Sequence, residues 1–280
     1  MTEEELKLSV PIEAENYIPL AISDTYLDFQ IIDSHDNKDI NHLDLLINVI
    51  PKSIVDSYVS CFKKSGFIPC ILEIESQAIV RSLIKSGQEI PPLLLIDLGV
   101  ASTNFVIFSG NSARFTSSLP ISANELTNAI SNKLGIDFDK AEEIKIKYGL
   151  NEGGKKKYNI AEIIKPILMN LVVEIKKYIN FYNSHASHEY LLSSEKFDKK
   201  IEKIIICGGG ASLKMLREFL SNELKMPIEV GNPFINMLEY DKGLSEIIPK
   251  ERILSLTTVL GLALGGAVRV QDSNYHQLSE

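Results

Sequence analysis

The chain of 280 residues contains no tryptophan, only three cysteines and no apolar run long enough to cross a bilayer. The longest apolar stretch near the C-terminus, Val259–Val268, is much shorter than the roughly 20 residues that a membrane-spanning helix needs. The N-terminus, Met1–Lys7, is acidic and lacks the basic-then-apolar order of a signal peptide. We therefore expect a protein without a membrane span, which reaches a membrane only through a partner.

The cysteines and the charge balance exclude further classes. Cys61, Cys70 and Cys207 lie inside apolar segments and lack the Cys-x-x-Cys spacing of zinc and redox motifs, so we expect reduced, buried thiols in a cytosolic protein. The net charge of −8 argues against a non-specific nucleic-acid binder, which needs a basic surface. With 45% hydrophobic residues, a chain of this length can bury a large core and form two lobes.

The most informative stretch is Leu93–Phe108, in which two apolar runs are separated by a glycine turn. The first run ends near a single carboxylate, Asp97, and small hydroxyl residues follow Gly99. Backbone N–H groups and small side chains suit a phosphate, and a carboxylate beside a phosphate suits a hydrated Mg²⁺. The pattern is typical of the second phosphate loop of actin-like ATPases. An ordinary hairpin, whose aspartate accepts hydrogen bonds from turn amides, is the alternative that this stretch alone leaves open.

A second glycine turn, Gly208–Gly210, follows the apolar strand pattern Lys203–Cys207. Three glycines allow a flat ring and a phosphate to approach the main chain closely, and Ser212 is predicted to cap the following helix. A flexible strand–helix connection is the alternative. Two such turns in one chain, each after an apolar strand, favour the nucleotide site over that alternative. Neither turn is followed by the Gly-Lys-Ser/Thr of a Walker loop, and neither fits the Rossmann fingerprint well.

Hydrophobic periodicity predicts an alternation of helices and strands along the rest of the chain. Helices are predicted over Pro11–Leu20, Ser53–Lys64, Ser76–Lys85, Ser122–Leu134, Phe138–Tyr148, Ile160–Asn183 and Ile253–Arg269. Further strands are predicted over Thr25–Ile32, Leu43–Ile50, Ile68–Ile74 and Ala113–Leu119, with loops over residues 151–157, 185–200 and 232–251. Gly261 and Gly265, four residues apart in the last helix, predict close helix packing.

Taken together, these segments resemble the PilM family, the cytoplasmic actin-like component of type IV pilus assembly. The resemblance extends over nearly the whole chain and is most specific over residues 12–19 and 27–30, which look like the opening of the family's inserted subdomain. Other matching segments are residues 51–58, 75–81, 124–127, 141–145, 208–211 and 226–234. The glycine turns alone are shared with FtsA, Hsp70 and sugar kinases, and it is the segment from Ile12 to Tyr58 that separates the PilM-like pattern from these relatives.

The resemblance implies an α/β, actin-like (ribonuclease H-like) two-lobed ATPase fold with an inserted small α/β subdomain. Residues 1–70 would form the inserted subdomain with a partner groove, residues 71–92 and 253–280 the remainder of the first lobe, and residues 93–252 the second lobe. No match to the family's first phosphate loop precedes Met1, so we expect an incomplete first lobe and weak or absent ATP hydrolysis.

The resemblance also implies residues for ATP and Mg²⁺. Asp97 would hold Mg²⁺ through water and, with Glu75, position the attacking water. Phosphates would be contacted by Gly99, Ser102, Thr103 and Asn104. Glu142 and Lys145 would contact the ribose, for which an exposed i,i+3 ion pair is the alternative. Gly208, Gly209 and Gly210 would bracket the adenine and the α-phosphate.

The expected partner follows from the resemblance as well, because the family captures the cytoplasmic N-terminal tail of the membrane protein PilN. Tyr17, Ile18, Phe29 and Ile31 are the candidate groove residues, with core packing as the alternative for each. The expected function is that of a PilM-like component of the type IV pilus inner-membrane platform, cytoplasmic and peripheral at the inner face of the membrane. The alternatives are a nucleotide-free actin-like scaffold of a type II secretion-like platform, an FtsA-type division protein, or a small-molecule kinase with Asp97 as catalytic base.

Overall fold

The computed structural model describes residues 2–32, 44–151, 158–185, 200–237 and 248–271. The chain divides into two compact units, Met1–Ile74 and Glu75–Glu280. The loops predicted over residues 151–157, 185–200 and 232–251 lie in large part outside the described residues, which omit 152–157, 186–199 and 238–247. Within the described residues, every helix is too short or too polar to cross a membrane.

In the part that the structure describes, the first unit contains two α-helices and a two-stranded sheet. Helix α1 covers Glu3–Ala14, and the antiparallel strands β1 (Thr25–Ile32) and β2 (Asp44–Pro51) pair with Thr25 opposite Pro51. Helix α2 covers Lys52–Lys64, and the chain leaves it through Gly66, whose φ of 83° is the left-handed conformation that glycine adopts without strain. The predicted bounds of β1 agree with the structure, because its alternating pattern is a strong strand signal.

Three expectations for the first unit are wrong. The helix predicted over Pro11–Leu20 lies instead at Glu3–Ala14, where Thr2 and Glu5 form a capping box at its start and Pro11 lies inside the helix. The strand predicted over Ile68–Ile74 is not formed, and Pro69, which has no N–H to donate, lies within that segment. Cys61 and Cys70 are exposed rather than buried.

The second unit is built on a five-stranded sheet. Its strands are β3 (Ile90–Leu98), β4 (Thr103–Gly110), β5 (Ser112–Leu119), β6 (Lys203–Cys207) and β7 (Ile228–Val230), in the order β5-β4-β3-β6-β7. The first three strands form an antiparallel meander, and β6 and β7 continue it in parallel with β3. The carboxyl ends of β3 and β6 therefore lie at the same edge of the sheet.

Helices precede, connect and follow the strands of this sheet along the chain. They are α3 (Glu75–Leu83), α4 (Ala123–Leu134), α5 (Phe138–Tyr148), α6 (Ile160–His185), α7 (Leu216–Leu224), α8 (Lys250–Ile253) and α9 (Thr257–Gln271). Leu94, Ile96 and Phe105 share one buried core with residues of α4 to α7. Leu95 and Asp97 alternate with the first two, so they point to the opposite face of β3.

Helices α3 and α9 pack against each other without space for side chains at the crossing. A Cβ atom at Gly261 would lie 1.9 Å from the carbonyl oxygen of Ala78, and one at Gly265 would lie 2.6 Å from a guanidinium nitrogen of Arg81. The Arg81 guanidinium also donates to the carbonyl oxygen of Gly261 at 2.9 Å. The close packing predicted from the two glycines is confirmed, and it places the start of α9 near the start of α3.

Candidate functional site

Three polar side chains form a row across the sheet near the carboxyl end of β3. Asp97 lies opposite Asn104 of β4 and opposite Cys207 of β6. Residues paired on neighbouring strands point to the same face, so a carboxylate is flanked by an amide and a thiol. Asp97 and Cys207 are secluded from water, since Asp97 is only 6% exposed and Cys207 is fully buried, whereas Asn104 is half-buried.

A second carboxylate approaches this row from the first residue of α3. Glu75 accepts a hydrogen bond from the Asn104 side-chain amide at 2.9 Å through one oxygen, and from the Thr258 hydroxyl on α9 at 3.3 Å through the other. The structure thus brings together the two residues that were predicted as catalytic. Glu75 also ties α3, β4 and α9 to one another at this point.

Burial and the neighbouring charge of Glu75 disfavour the ionised form of Asp97. Loss of hydration, followed by the negative charge of Glu75, raises the pKa of Asp97 from 3.8 to about 6, although hydrogen bonds from Asn104 and Cys207 lower it in part. A carboxylate in such surroundings gains most from a proton or from a cation. A proton or a cation near Asp97 would therefore relieve the cost of its ionised form.

Cys207 is the residue of this cluster to which sequence reasoning gave no role. Its burial is as expected, and burial followed by the charge of Asp97 raises the pKa of its thiol well above the usual range. The thiol therefore stays protonated and donates to the Asp97 carboxylate, and the Thr257 side chain forms a hydrogen bond with the same thiol. The available signal was its place one residue before the glycine turn, on a strand that runs parallel to β3.

The turn after β3 is shaped by internal hydrogen bonds. The Gly99 N–H donates to the Ser102 carbonyl oxygen at 2.9 Å, and a Cβ atom at Gly99 would lie 2.8 Å from that oxygen. The Thr103 hydroxyl donates to the Ile121 carbonyl oxygen at 2.6 Å, and Thr103 is fully buried. Three of the groups expected to face phosphates, the Gly99 N–H, the Thr103 hydroxyl and the Asn104 amide, thus have partners within the protein. Val100 and Ala101 form the exposed part of the turn.

The second glycine turn lies directly against the first. Gly208 has a φ of 81°, and a Cβ atom there would lie 2.2 Å from Asp97 Oδ1 and 2.6 Å from the Leu98 carbonyl oxygen. At Gly210 a Cβ atom would lie 3.0 Å from the Leu98 side chain, whereas at Gly209 it would meet only Ser255, at 3.7 Å. The sheet therefore brings the two predicted nucleotide loops to one place, with Asp97 between them.

The predicted cap by Ser212 is wrong. Residues Gly209–Ser212 form a 3₁₀ turn, and α7 begins only at Leu216. Met215 precedes it with a φ of 65°, the left-handed conformation, and its side chain makes no capping hydrogen bond. The glycine turn is thus followed by a tight irregular connection before the helix starts.

Glu142 and Lys145 lie on α5 and form an ion pair of 2.7 Å. It differs from the exposed pair considered as the alternative, because the Lys145 side chain is only 7% exposed, while that of Glu142 is 36% exposed. The ammonium also donates to the Ala123 carbonyl oxygen at 2.9 Å and to the Thr127 hydroxyl at 2.7 Å. Ala123 in turn donates its N–H to the Gly99 carbonyl oxygen at 3.0 Å, which links the pair to the turn after β3.

The residues predicted to line a partner groove all belong to the first unit. Tyr17 is 83% exposed in the turn after α1, and Ile31 is 43% exposed near the end of β1. Phe29 shares the face of Ile31 and lies opposite Ile47, and both Ile18 and Phe29 are half-buried. All residues proposed for the nucleotide belong to the second unit. The groove stays a prediction.

Comparison with known proteins gives two kinds of similarity in sequence. The family model described as type IV pilus assembly protein PilM matches residues 1–268. Cell division protein FtsA of Buchnera aphidicola subsp. Baizongia pistaciae is 24% identical over 245 residues, which cover 80% of this chain and 55% of that protein. FtsA of Helicobacter pylori is 30% identical over 118 residues, 41% of this chain and 24% of that protein. The chain thus spans about half the length, or less, of these curated relatives.

Solved structures show the fold. A PilM–PilN type IV pilus biogenesis complex superposes with a TM-score of 0.76 and 24% identity, covering 95% of this chain and 73% of that chain. MreB5 of Spiroplasma citri, solved bound to ADP, superposes with a TM-score of 0.56 and 15% identity, covering 80% and 68%. The actin-like fold that was expected is confirmed, as an α/β structure with a five-stranded sheet.

Proposed function

The chain belongs to the PilM family of type IV pilus assembly proteins, and on that premise we propose that it is an ATP-binding component of the pilus inner-membrane platform. In this proposal it is cytoplasmic and peripheral to the membrane. Its second unit binds Mg·ATP, and its first unit binds the cytoplasmic tail of a PilN-like membrane protein. A complex of PilM with PilN among the solved structures of this fold supports such a partner.

The observation that carries the nucleotide proposal is the position of Asp97 between two glycine turns. Its raised pKa and the adjacent Glu75 indicate a place where negative charge lacks compensation. The residues present fit Mg²⁺, which prefers oxygen ligands and is commonly held through water by one or two carboxylates beside phosphates. Asp97 would hold the ion through water with Glu75 nearby, and the ion would supply positive charge to the phosphates. The turn at residues 99–102 would face the phosphates, and Gly208–Gly210 the adenosine.

Gly209→Ala provides the sharpest test of nucleotide binding. The protein has room for the added methyl group, whose closest neighbour would be Ser255 at 3.7 Å, so the variant should fold. The methyl would nevertheless stand on the surface that the nucleotide is proposed to touch. Titration calorimetry with Mg·ATP should show a loss of about tenfold or more in affinity, equivalent to about 1.4 kcal/mol.

Gly266→Ala is the matched control, because it adds the same methyl group in open space on α9. It should bind Mg·ATP as the wild type does. If the wild type and Gly209→Ala bind Mg·ATP with equal affinity, the glycine turn does not contact the nucleotide. Failure of the wild type to bind would favour the second candidate function described next.

That second candidate is a nucleotide-free actin-like scaffold, and one observation favours it. The Gly99 N–H, the Thr103 hydroxyl and the Asn104 amide are engaged with protein acceptors rather than directed at a ligand. A scaffold would keep these hydrogen bonds permanently. Normal partner binding by a protein that takes up no nucleotide in calorimetry would select the scaffold over the ATP-dependent component.

The partner proposal is tested with the first unit's exposed residues. A fluorescent peptide with the cytoplasmic N-terminal sequence of the PilN-like protein from the same organism should bind the wild type and bind Tyr17→Ala and Ile31→Ala more weakly. Phe67→Ala is the control, because Phe67 is 66% exposed in the same unit and lies outside the predicted groove. Weakening by Phe67→Ala, with no effect of the other two variants, would place the peptide elsewhere.

A further inference from the structure

The hydrogen bonds of Lys145 leave its ammonium no proton for a ligand. An ammonium has three N–H donors. They reach the Ala123 carbonyl oxygen at 2.9 Å, the Thr127 hydroxyl at 2.7 Å and the Glu142 carboxylate at 2.7 Å. Because the side chain is also 7% exposed, Lys145 is placed to hold neighbouring groups rather than to contact a nucleotide. Of the ion pair, Glu142 has the more exposed side chain.

Thr127 completes the support of Glu142 from α4. Thr127 is fully buried, and its hydroxyl oxygen forms a hydrogen bond with Glu142 Oε2. The hydroxyl has one proton to donate, and it accepts one hydrogen bond from Lys145. The Ala123 carbonyl oxygen lies 3.0 Å from the same hydroxyl, but the Glu142 carboxylate is charged and is the stronger acceptor, so the Thr127 hydroxyl donates to the carboxylate. Both partners of Glu142 are therefore fixed groups.

The first turn of α4 connects this arrangement to the turn after β3. The Ala123 N–H donates to the Gly99 carbonyl oxygen at 3.0 Å, and the Asn124 N–H donates to the Val100 carbonyl oxygen at 3.2 Å. Ala123 thus binds the turn through its N–H and Lys145 through its carbonyl oxygen. A displacement of either end changes the hydrogen bonds of the other.

We propose that Thr127 and Lys145 are positioning residues, which fix the Glu142 carboxylate relative to the turn at residues 99–102 so that it accepts a hydrogen bond from a ribose hydroxyl of the bound nucleotide. This inference rests on the proposed nucleotide binding and on the ribose contact that the resemblance implies for Glu142, and what it adds is the roles of Thr127 and Lys145. Glu142 contacts the ligand, whereas Thr127 and Lys145 act only through it. The turn at residues 99–102 and the Glu142 carboxylate then belong to one hydrogen-bonded unit.

The test compares Thr127→Val, which keeps the side chain's shape but removes the hydroxyl, with Thr127→Ser, which keeps the hydroxyl. Calorimetry with Mg·ADP, Mg·2′-deoxy-ADP and Mg·3′-deoxy-ADP measures both affinity and preference for the ribose hydroxyls. Thr127→Val should bind ADP about tenfold more weakly, the usual effect of losing one hydrogen bond to a charged group, and should prefer ADP less over the deoxy analogue. Thr127→Ser should behave as the wild type.

Ser82→Ala is the control for a general loss of stability. Ser82 is a fully buried hydroxyl on α3 that donates to the Ile79 carbonyl oxygen at 3.1 Å, and its removal should leave all three affinities unchanged. A wild type that binds Mg·ADP together with an equally tight Thr127→Val overturns this inference alone. Equal binding of ADP and both deoxy analogues by the wild type overturns the ribose contact. A wild type that binds none of the three overturns the proposed function and the inference with it.

Discussion

Replacing the buried Asp97 carboxylate should raise the stability of the protein and lower its affinity for the ligand. In the absence of ligand, Asp97→Asn should stabilise the protein above pH 7, because the ionised carboxylate is buried beside Glu75. The same variant should weaken Mg²⁺-dependent nucleotide binding, because the amide carries no charge for the ion. Natural binding sites often carry such a cost in the unbound state.

The magnitude follows from the displaced pKa. A rise from 3.8 to about 6 means that the ionised form of Asp97 is disfavoured in the folded state. At about 1.4 kcal/mol per pH unit, the full cost at pH 8 is about 3 kcal/mol. Asparagine keeps an acceptor oxygen for the Cys207 thiol but pays for burial of its own amide, so we expect a net gain of about 1–2 kcal/mol.

The sign with pH is fixed by the direction of the shift. Between about pH 4 and pH 6 the folded protein binds a proton at Asp97 that the unfolded chain releases, so this contribution to stability is lost as the pH rises through about 6. The variant lacks this dependence. Its advantage over the wild type should therefore be small at pH 4.5 and complete by pH 7.5.

Urea unfolding followed by circular dichroism measures the effect, since the chain has no tryptophan to serve as a fluorescence probe. Asp139→Asn is the control, because it makes the same change of net charge at an exposed position on α5. The reasoning is refuted if Asp97→Asn is less stable than the wild type at pH 8, or if the difference between them is the same at pH 4.5 and pH 8.

Three further predictions concern residues that touch the same region. Gly208→Ala should destabilise the second unit by about 2 kcal/mol or more in urea unfolding, because its Cβ would lie 2.2 Å from Asp97 Oδ1 at a φ of 81°; a neutral result would show that the turn can move aside. Gly261→Ala should cost at least as much, since its Cβ would lie 1.9 Å from the Ala78 carbonyl oxygen, and a change below about 0.5 kcal/mol would contradict the packing of α3 on α9. Cys207→Ala removes a hydrogen-bond donor to Asp97 and should therefore raise the pKa of that carboxyl further. In the Cys207→Ala background, the pH range over which Asp97→Asn becomes stabilising should then lie higher than in the wild type. A shift of that range to lower pH would contradict the thiol's role.

Local patterns were sufficient for elements with strong periodicity and clear ends. The strand at Thr25–Ile32 and the helix at Phe138–Tyr148 have the predicted bounds, because an alternating run and an Asp137 cap with Gly149 at the end are local signals. The misplaced first helix shows the limit of the same signals. The pattern predicts a helix that begins at Pro11, whereas Thr2 and Glu5 form a capping box and the helix begins at Glu3.

The candidate site depends on contacts that no local pattern encodes. The pairing of Asp97 with Cys207 is set by the register of β3 and β6, which are separated in the sequence by two strands and three helices. The Glu75–Asn104 hydrogen bond spans 29 residues. Spacing likewise places Glu142 and Lys145 on one face of α5, but not the direction of that face. Only the packing of α5 against α4 shows that the ammonium is buried against Ala123 and Thr127.

Two features of the site that look opposed are consistent with one another. The donors of the turn after β3 are satisfied internally, which holds the turn in one shape before any ligand arrives. The Asp97 carboxylate, by contrast, stays buried beside the negative charge of Glu75, and the hydrogen bonds from Asn104 and Cys207 offset this only in part. A rigid frame around an uncompensated charge is what electrostatic preorganisation requires, because the ligand's ion then supplies the missing charge without rearranging the frame. Glu75 also accepts a hydrogen bond from Thr258, so the same carboxylate links the charge near Asp97 to the contact between α3 and α9.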